Sequence, residues 1–289
     1  MSEPPRRTGE APPAAGDALQ PFKEALRERF PSREALLAEG RAQTRRQQQR
    51  QSRNKRLAAS GLALALLAAV VVADPAWHVA ELRTAVGERL VVNLADGSRV
   101  TLNTGTVLRV EQRLRSRRFE LAGGQAFFSV AHGPRPFIVR SGEVAVRDIG
   151  TAFDVHRLDA EQLRVGVTEG SVEITRPGSA PRIARAGELV QAGNGRIDTP
   201  QPVTLARVEA WQRGKLMFDG TPLREALAEI QRYRKAPITL EDAAAGGLRL
   251  SGEYDIAGME RLLDTLPQVL PVRVSRAADG AISVASRTR

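Results

Sequence analysis

Seventeen consecutive residues, Leu57 to Ala73 (LAASGLALALLAAVVVA), carry no charge, and the segments on either side differ sharply in sign. Arg41 to Arg56 hold seven Lys/Arg and no acid, whereas Asp74 to Arg89 hold two Arg against three acids. Only Ser60 and Gly61 interrupt the apolar surface, so a helix over this run has no polar stripe to turn toward water. Positive charge beside a spanning helix stays cytoplasmic. The pattern therefore predicts a transmembrane helix over residues 57–77, with the N-terminus cytoplasmic and the remainder on the far side. A buried helix of a globular core normally shows a polar face. A cleaved signal peptide has a short basic leader, and this run is preceded by 56 residues.

The formal net charge of +10 invites a nucleic-acid reading, but its distribution argues otherwise. Residues 1–56 hold 13 Lys/Arg and seven acids, while the other 233 residues hold 30 and 26. The excess is concentrated beside the apolar run, where topology and anionic lipid account for it, and no direct nucleic-acid contact is expected. The chain has no cysteine, which removes disulfide and thiol chemistry.

Residues 1–56 read as an arm. Its start (MSEPPRRTGEAPPAAG) is rich in Pro, Gly and Ala and has no apolar period. Leu19, Phe22, Leu26 and Phe30 then recur at three- and four-residue spacing, marking a stripe on a short helix. Pro31-Ser32 breaks it, and Ser32 is placed to cap a second helix carrying Leu36 and Leu37. Four large apolar side chains without a third element to cover them point to a partner helix or groove.

Beyond Thr84 the texture changes to short alternating stretches punctuated by Gly turns: LVVNLADGSRVTLN, RRFELAGGQAFFSVA, RPFIVRS, VAVRDIGTAFDVHR and LRVGVTEGSVEITR. Period-two alternation bounded by Asp-Gly and Glu-Gly predicts an all-β domain over residues 78–200. From residue 201 the pattern changes again. A short helix is expected over Val203 to Trp211. Leu216 and Phe218 share one face of a strand. Thr221-Pro222 reads as a cap and first turn, and Leu223, Ala226, Leu227, Ile230 and Tyr233 mark one helical face. Strands follow at Ile238 to Leu240 and Leu248 to Glu253, then a helix from Ile256 to Leu266, then strands at Val272 to Ser275 and Ile282 to Ala285. The fold class expected is mainly β plus α+β: a single transmembrane helix, the all-β domain, and a small βαββαβ domain over 201–289.

No catalytic constellation is evident. His78, His132 and His156 are scattered and lack metal-site spacing. There is no phosphate-binding Gly-rich loop and no nucleophile elbow. No enzyme activity on an external substrate, no metal and no cofactor are expected.

Several of these segments resemble one family. Asp96-Gly97-Ser98 with Val100, Leu102 and Asn103 is similar to the opening of the FecR domain. Phe127-Phe128-Ser129-Val130 and Arg135-Pro136-Phe137 resemble its central strands. Gly150-Thr151-Ala152-Phe153-Asp154-Val155 resembles its "GT-x-F-x-V" motif, and Glu169-Gly170-Ser171-Val172 its "EG-x-V". The stretch W-x-x-G-x-L-x-F-D-G-x-P-L from Trp211 is similar to the small secretin/TonB N-terminal type of domain that closes many FecR-like proteins.

The resemblance implies an inner-membrane anti-sigma regulator of cell-surface signalling, single-pass, with its C-terminal part periplasmic. Its arm would hold an extracytoplasmic-function sigma factor, here through Leu19, Phe22, Leu26 and Phe30. Its periplasmic part would sense the N-terminal signalling domain of a TonB-dependent outer-membrane receptor loaded with siderophore or haem. Periplasmic and intramembrane proteases would release the arm. Some members of the family cut themselves at the position of Gly150-Thr151, the Thr151 hydroxyl attacking the preceding carbonyl. The alternative outside this class is a membrane-anchored periplasmic structural module that holds envelope glycan.

Overall fold

The computed structural model describes residues 24–25 and 33–287. The chain divides into two compact units between Val70 and Val71. The first helix, α1 (Arg33–Ala73), is continuous for 41 residues and carries the basic stretch and the uncharged run together. Ser60 and Gly61 lie inside it without a break. Leu57, Leu62, Leu64, Leu66 and Leu67 are all exposed. The last turn is closed by two arginines, Arg115 Nη1 donating to Val71 O at 3.0 Å and Arg113 Nη1 to Asp74 O at 2.5 Å. Cations on terminal carbonyls satisfy acceptors that the helix itself leaves open.

Here the structure corrects an expectation. Among the described residues no helix is long and apolar enough to cross a membrane. The uncharged run spans only about 25 Å as a helix against the ~30 Å of a hydrocarbon core. Before Leu57 the same helix becomes a stretch of Arg, Lys, Gln and Asn. The single transmembrane helix is therefore removed from the fold class, and what remains is mostly β.

The β region contains β1 (His78–Arg83), β2 (Leu90–Asn93), β3 (Arg99–Leu102), β4 (Val107–Gln112), β5 (Arg117–Ser129), β6 (Phe137–Ser141) and β7 (Val144–Asp148). It continues with β8 (Ala152–Arg157), β9 (Leu163–Glu169), β10 (Ser171–Thr175), β11 (Arg182–Arg185), β12 (Glu188–Gly193), β13 (Arg196–Ile197) and β14 (Gln201–Pro202). These form one 14-stranded ladder folded on itself at β5. The first half of β5 pairs antiparallel with β4 and parallel with β6, while its second half pairs with β3 and β8. One strand thus serves two layers, β1-β4-β5-β6-β7-β10-β11 and β2-β3-β5-β8-β9-β12.

The hinge of that strand is Gly124, at φ +82°. A Cβ there would lie 2.5 Å from Thr106 Cα and 2.9 Å from Gly105 O. The backbones approach too closely for any side chain. Between the layers Phe119, Phe128, Phe137 and Phe153 make a ring cluster, with centroids 4.4 Å apart for Phe119–Phe137 and 5.3 Å for Phe128–Phe153. Each of these phenylalanines belongs to an alternating stretch, which explains why all four point inward.

The last domain holds α2 (Leu205–Glu209), β15 (Lys215–Pro222), α3 (Leu223–Gln231), β16 (Ile238–Leu240), α4 (Ala243–Gly247), β17 (Arg249–Asp255), α5 (Met259–Val269), β18 (Val272–Arg276) and β19 (Ile282–Ser286). β15 pairs antiparallel with β17, and β19 lies between parallel β16 and antiparallel β18. Leu223, Ala226, Leu227 and Ile230 of α3 meet Met259, Leu262, Leu263 and Leu266 of α5 in one core. Their three- and four-residue spacing puts each set on a single helix face. Thr221 does not cap α3: β15 continues through Pro222, and the Thr221 hydroxyl instead accepts Asp219 N at 3.3 Å. The short α4 has no apolar period to announce it and rests on its cap, Asp242 Oδ1 accepting Ala245 N at 2.7 Å.

Candidate functional site

The outer face of the second β layer is where the two folded domains meet. Alternation along β8 turns Phe153 and Val155 into the core, so Asp154 and His156 emerge on the other side. On the neighbouring strands Gln125, Arg164 and Gly166 emerge on the same face, with Gln125 opposite His156, His156 opposite Arg164 and Asp154 opposite Gly166. In an isolated sheet this face would be wet. Here α2, the turn carrying Trp211 and the end of α3 cover it. Asp154 is 5 % exposed and His156 4 %.

Gly166 lets α2 sit directly on the sheet, since a Cβ there would lie 3.0 Å from Val208 Cγ1 and 3.1 Å from Cγ2. The Asp154 carboxylate then collects three hydrogen bonds. Gln125 Nε2 reaches Oδ1 at 3.0 Å and Oδ2 at 3.1 Å, and Trp211 Nε1 reaches Oδ2 at 2.9 Å. Gln125 Oε1 in turn accepts Asn103 Nδ2 at 2.8 Å and Arg232 Nη1 at 2.9 Å. Asn103 Nδ2 also donates to Tyr233 OH at 2.7 Å, and Thr104 Oγ1 to Arg232 O at 2.9 Å. Asn103 and Asp154, members of strand motifs in the sequence, thus fasten one domain to the other.

Burial decides the charge states in this seam. Desolvation raises the Asp154 carboxyl to about 7, against the pull of Gln125, Trp211 and the Arg232 charge. His156 is held well below its ordinary value, first by burial and then by the Arg232 and Arg164 charges. Burial and the Glu229 charge push the Tyr233 phenol up to about 12. Asp154 is consequently the group of the seam that changes charge near neutral pH.

Gly150-Thr151, the candidate self-cleavage pair, forms the turn that leads into β8. Gly150 has φ +86°, and a Cβ there would lie 2.9 Å from His132 Nε2. A Cβ on Gly170 would lie 2.2 Å from Gly150 O, so only glycine fits against that carbonyl. The Thr151 hydroxyl is buried and donates to the Asp148 carboxylate. Two of the three scattered histidines therefore flank the motif segment, His132 beside Gly150 and His156 on β8. Among the described residues no cluster of His, Cys, Asp or Glu could hold a metal ion. Leu19, Phe22, Leu26 and Phe30 lie outside the described residues.

Residues 80–173 match the family model described as FecR protein. The chain is FecR-like. Two crystal structures of a proposed anti-sigma factor from Parabacteroides distasonis ATCC 8503, at 1.65 Å and 2.50 Å resolution, are similar to it. Both are 28 % identical with a TM-score of 0.64. They match 72 % and 73 % of this chain, and in each case all of theirs. No curated protein sequence matches.

Sequence reasoning missed Trp211, Arg232, Tyr233 and Gln125 as a constellation with Asp154. The available signal was Trp211 itself, a large side chain with a polar N–H in a short helical segment, which when buried needs an acceptor. The partner across the seam is 57 positions away in the chain and has no local mark.

Proposed function

We propose that this FecR-like chain is an anti-sigma regulator whose N-terminal arm holds an extracytoplasmic-function sigma factor. Its β and α+β domains together form the receiving end for the N-terminal signalling domain of a TonB-dependent receptor. The FecR match over the β domain carries this reading. It is supported by a similarity to a proposed anti-sigma factor that covers 72 % of the chain. The polar seam supports a relay, since a partner that binds either domain acts on both through Asp154 and Trp211. Co-expression of the tagged full-length chain with the sigma factors of its host tests the first step. One sigma factor is expected to co-purify and to be lost with Phe22→Asp. Recovery of none overturns the reading. Receptor binding is tested by titrating the isolated signalling domain of candidate receptors against the full chain.

The Thr151 hydrogen bond to Asp148 favours a second capability, self-cleavage at Gly150-Thr151. The carboxylate takes the hydroxyl proton as Oγ1 attacks the Gly150 carbonyl carbon. The peptide nitrogen leaves as a free amine, and water then hydrolyses the ester. Intact mass of purified protein should show two fragments that disappear in Thr151→Ala. A single full-length species that the substitution leaves unchanged removes this capability.

A further inference from the structure

We propose that the cleft between the two folded domains binds a small anion through a carboxylate or phosphate group, held by Arg164 and Arg232 beside His156. This goes beyond the regulator reading, which requires no small ligand. The cleft encloses about 690 Å³, within the ~300–1,000 Å³ usual for small-molecule sites. Its floor is the row Gln125–His156–Arg164–Gln191 across four adjacent strands. Its opposite wall includes Glu225 and Glu229 of α3 and Arg232 just after it.

The two arginines carry the inference. Arg164 Nε and Arg232 Nη2 are buried and have no hydrogen-bond partner. A guanidinium N–H kept from water without an acceptor is costly, and an anion that supplies one removes the cost. The nearby acids do not fill this role. Asp154 already accepts three hydrogen bonds. Glu229 takes Arg232 Nη1 and leaves Nη2 unmet. Arg232 reaches the row through Gln125 Oε1, and Gln125 and Arg164 stand opposite His156 on its two neighbouring strands, so the two arginines meet the floor on either side of His156. A neutral imidazole beside the two forks can give a third donor. The ligand would touch β9 of one domain and α3 of the other, so its binding would tighten the seam.

Isothermal titration of the full-length chain at pH 7 with citrate, and separately with inorganic phosphate, at matched ionic strength in chloride, tests this. Saturable binding at one site is expected, weakened at least about tenfold by Arg164→Gln and by Arg232→Gln. Citrate alone binding assigns a carboxylate ligand, and phosphate alone assigns a phosphate. Arg164→Lys keeps the charge but lacks the Nε–H. It should also weaken binding, and it decides the matter if Arg164→Gln does not fold. No saturable heat from either anion, or affinity within twofold of wild type in Arg164→Lys, overturns the proposal.

Discussion

Replacing Asp154 with Asn tests whether the seam is poised by a single proton. The carboxyl is buried and raised from 3.8 to about 7. Between those values the folded protein binds a proton that the unfolded chain has released. The contribution of Asp154 is thus fully present below about 3.8 and is lost as pH rises through 7. At ~1.4 kcal/mol per pKa unit, the two units from pH 5 to 7 amount to about 3 kcal/mol, with little further loss by pH 8. His156 acts in the opposite sense. Its value is lowered, so its contribution is present above 6.5 and is lost as pH falls. The wild-type profile is a sum of the two, and the Asp154→Asn chain carries only the histidine part. Asparagine keeps an acceptor for Trp211 Nε1 and cannot ionise. Trp77 is 68 % exposed and the chain has two Trp, so a Trp77→Phe background leaves Trp211 as the sole indole reporter. Guanidinium unfolding followed by that fluorescence, at pH 5 and pH 8, gives the stability gap between the two chains. The gap should move by about 3 kcal/mol in favour of Asp154→Asn as pH rises. Parallel profiles, with a gap constant to within about 0.5 kcal/mol, would refute the burial argument for Asp154.

Two further perturbations address the scaffold around the seam. Gly166→Val puts a branched side chain where the Val208 methyls already stand 3.0 and 3.1 Å from the position a Cβ would take. It should cost about 1–3 kcal/mol and red-shift the Trp211 emission as α2 lifts; an unshifted spectrum at wild-type stability would show that α2 does not rest there. Gly124→Ala meets backbone rather than flexible side chain, at 2.5 Å from Thr106 Cα, and has a left-handed φ as well. A loss of about 3 kcal/mol or more is expected, read as loss of the cooperative unfolding transition or a large fall in its midpoint. Wild-type stability would mean that β5 does not bend at this residue.

The strands were legible because alternation reports local chemistry. Val100, Leu102, Phe128, Phe153 and Val155 recur at period two and are all fully buried. The faces of α3 and α5 were legible for the same reason at helical spacing. α4 was not, since AAAGG carries no apolar period and depends on the Asp242 cap. The role of Thr221 was not legible either, because a Thr-Pro pair fits a helix start as readily as a strand end. Pairing with β17 as far as Pro222 settles which. Leu57 to Ala73 is apolar and helical, as its composition indicates. Being apolar and helical did not make it a span, since among the described residues no helix is long and apolar enough to cross a membrane.

By itself the sequence determined which side chains each strand would send inward and which outward, because a strand's geometry fixes that alternation residue by residue. In the structure the alternation that sends Phe153, Val155 and Val165 inward leaves Asp154, His156 and Arg164 on the opposite face, although the sequence singles out none of them for that face. It could not say what that face meets. Only the tertiary structure laid α2, Trp211 and Arg232 over it and turned a wet surface into a buried seam. Removing a carboxylate from water depends on atoms far along the chain, and no local period records them. That burial, more than the identity of the residue, is what brings the Asp154 carboxyl to about 7.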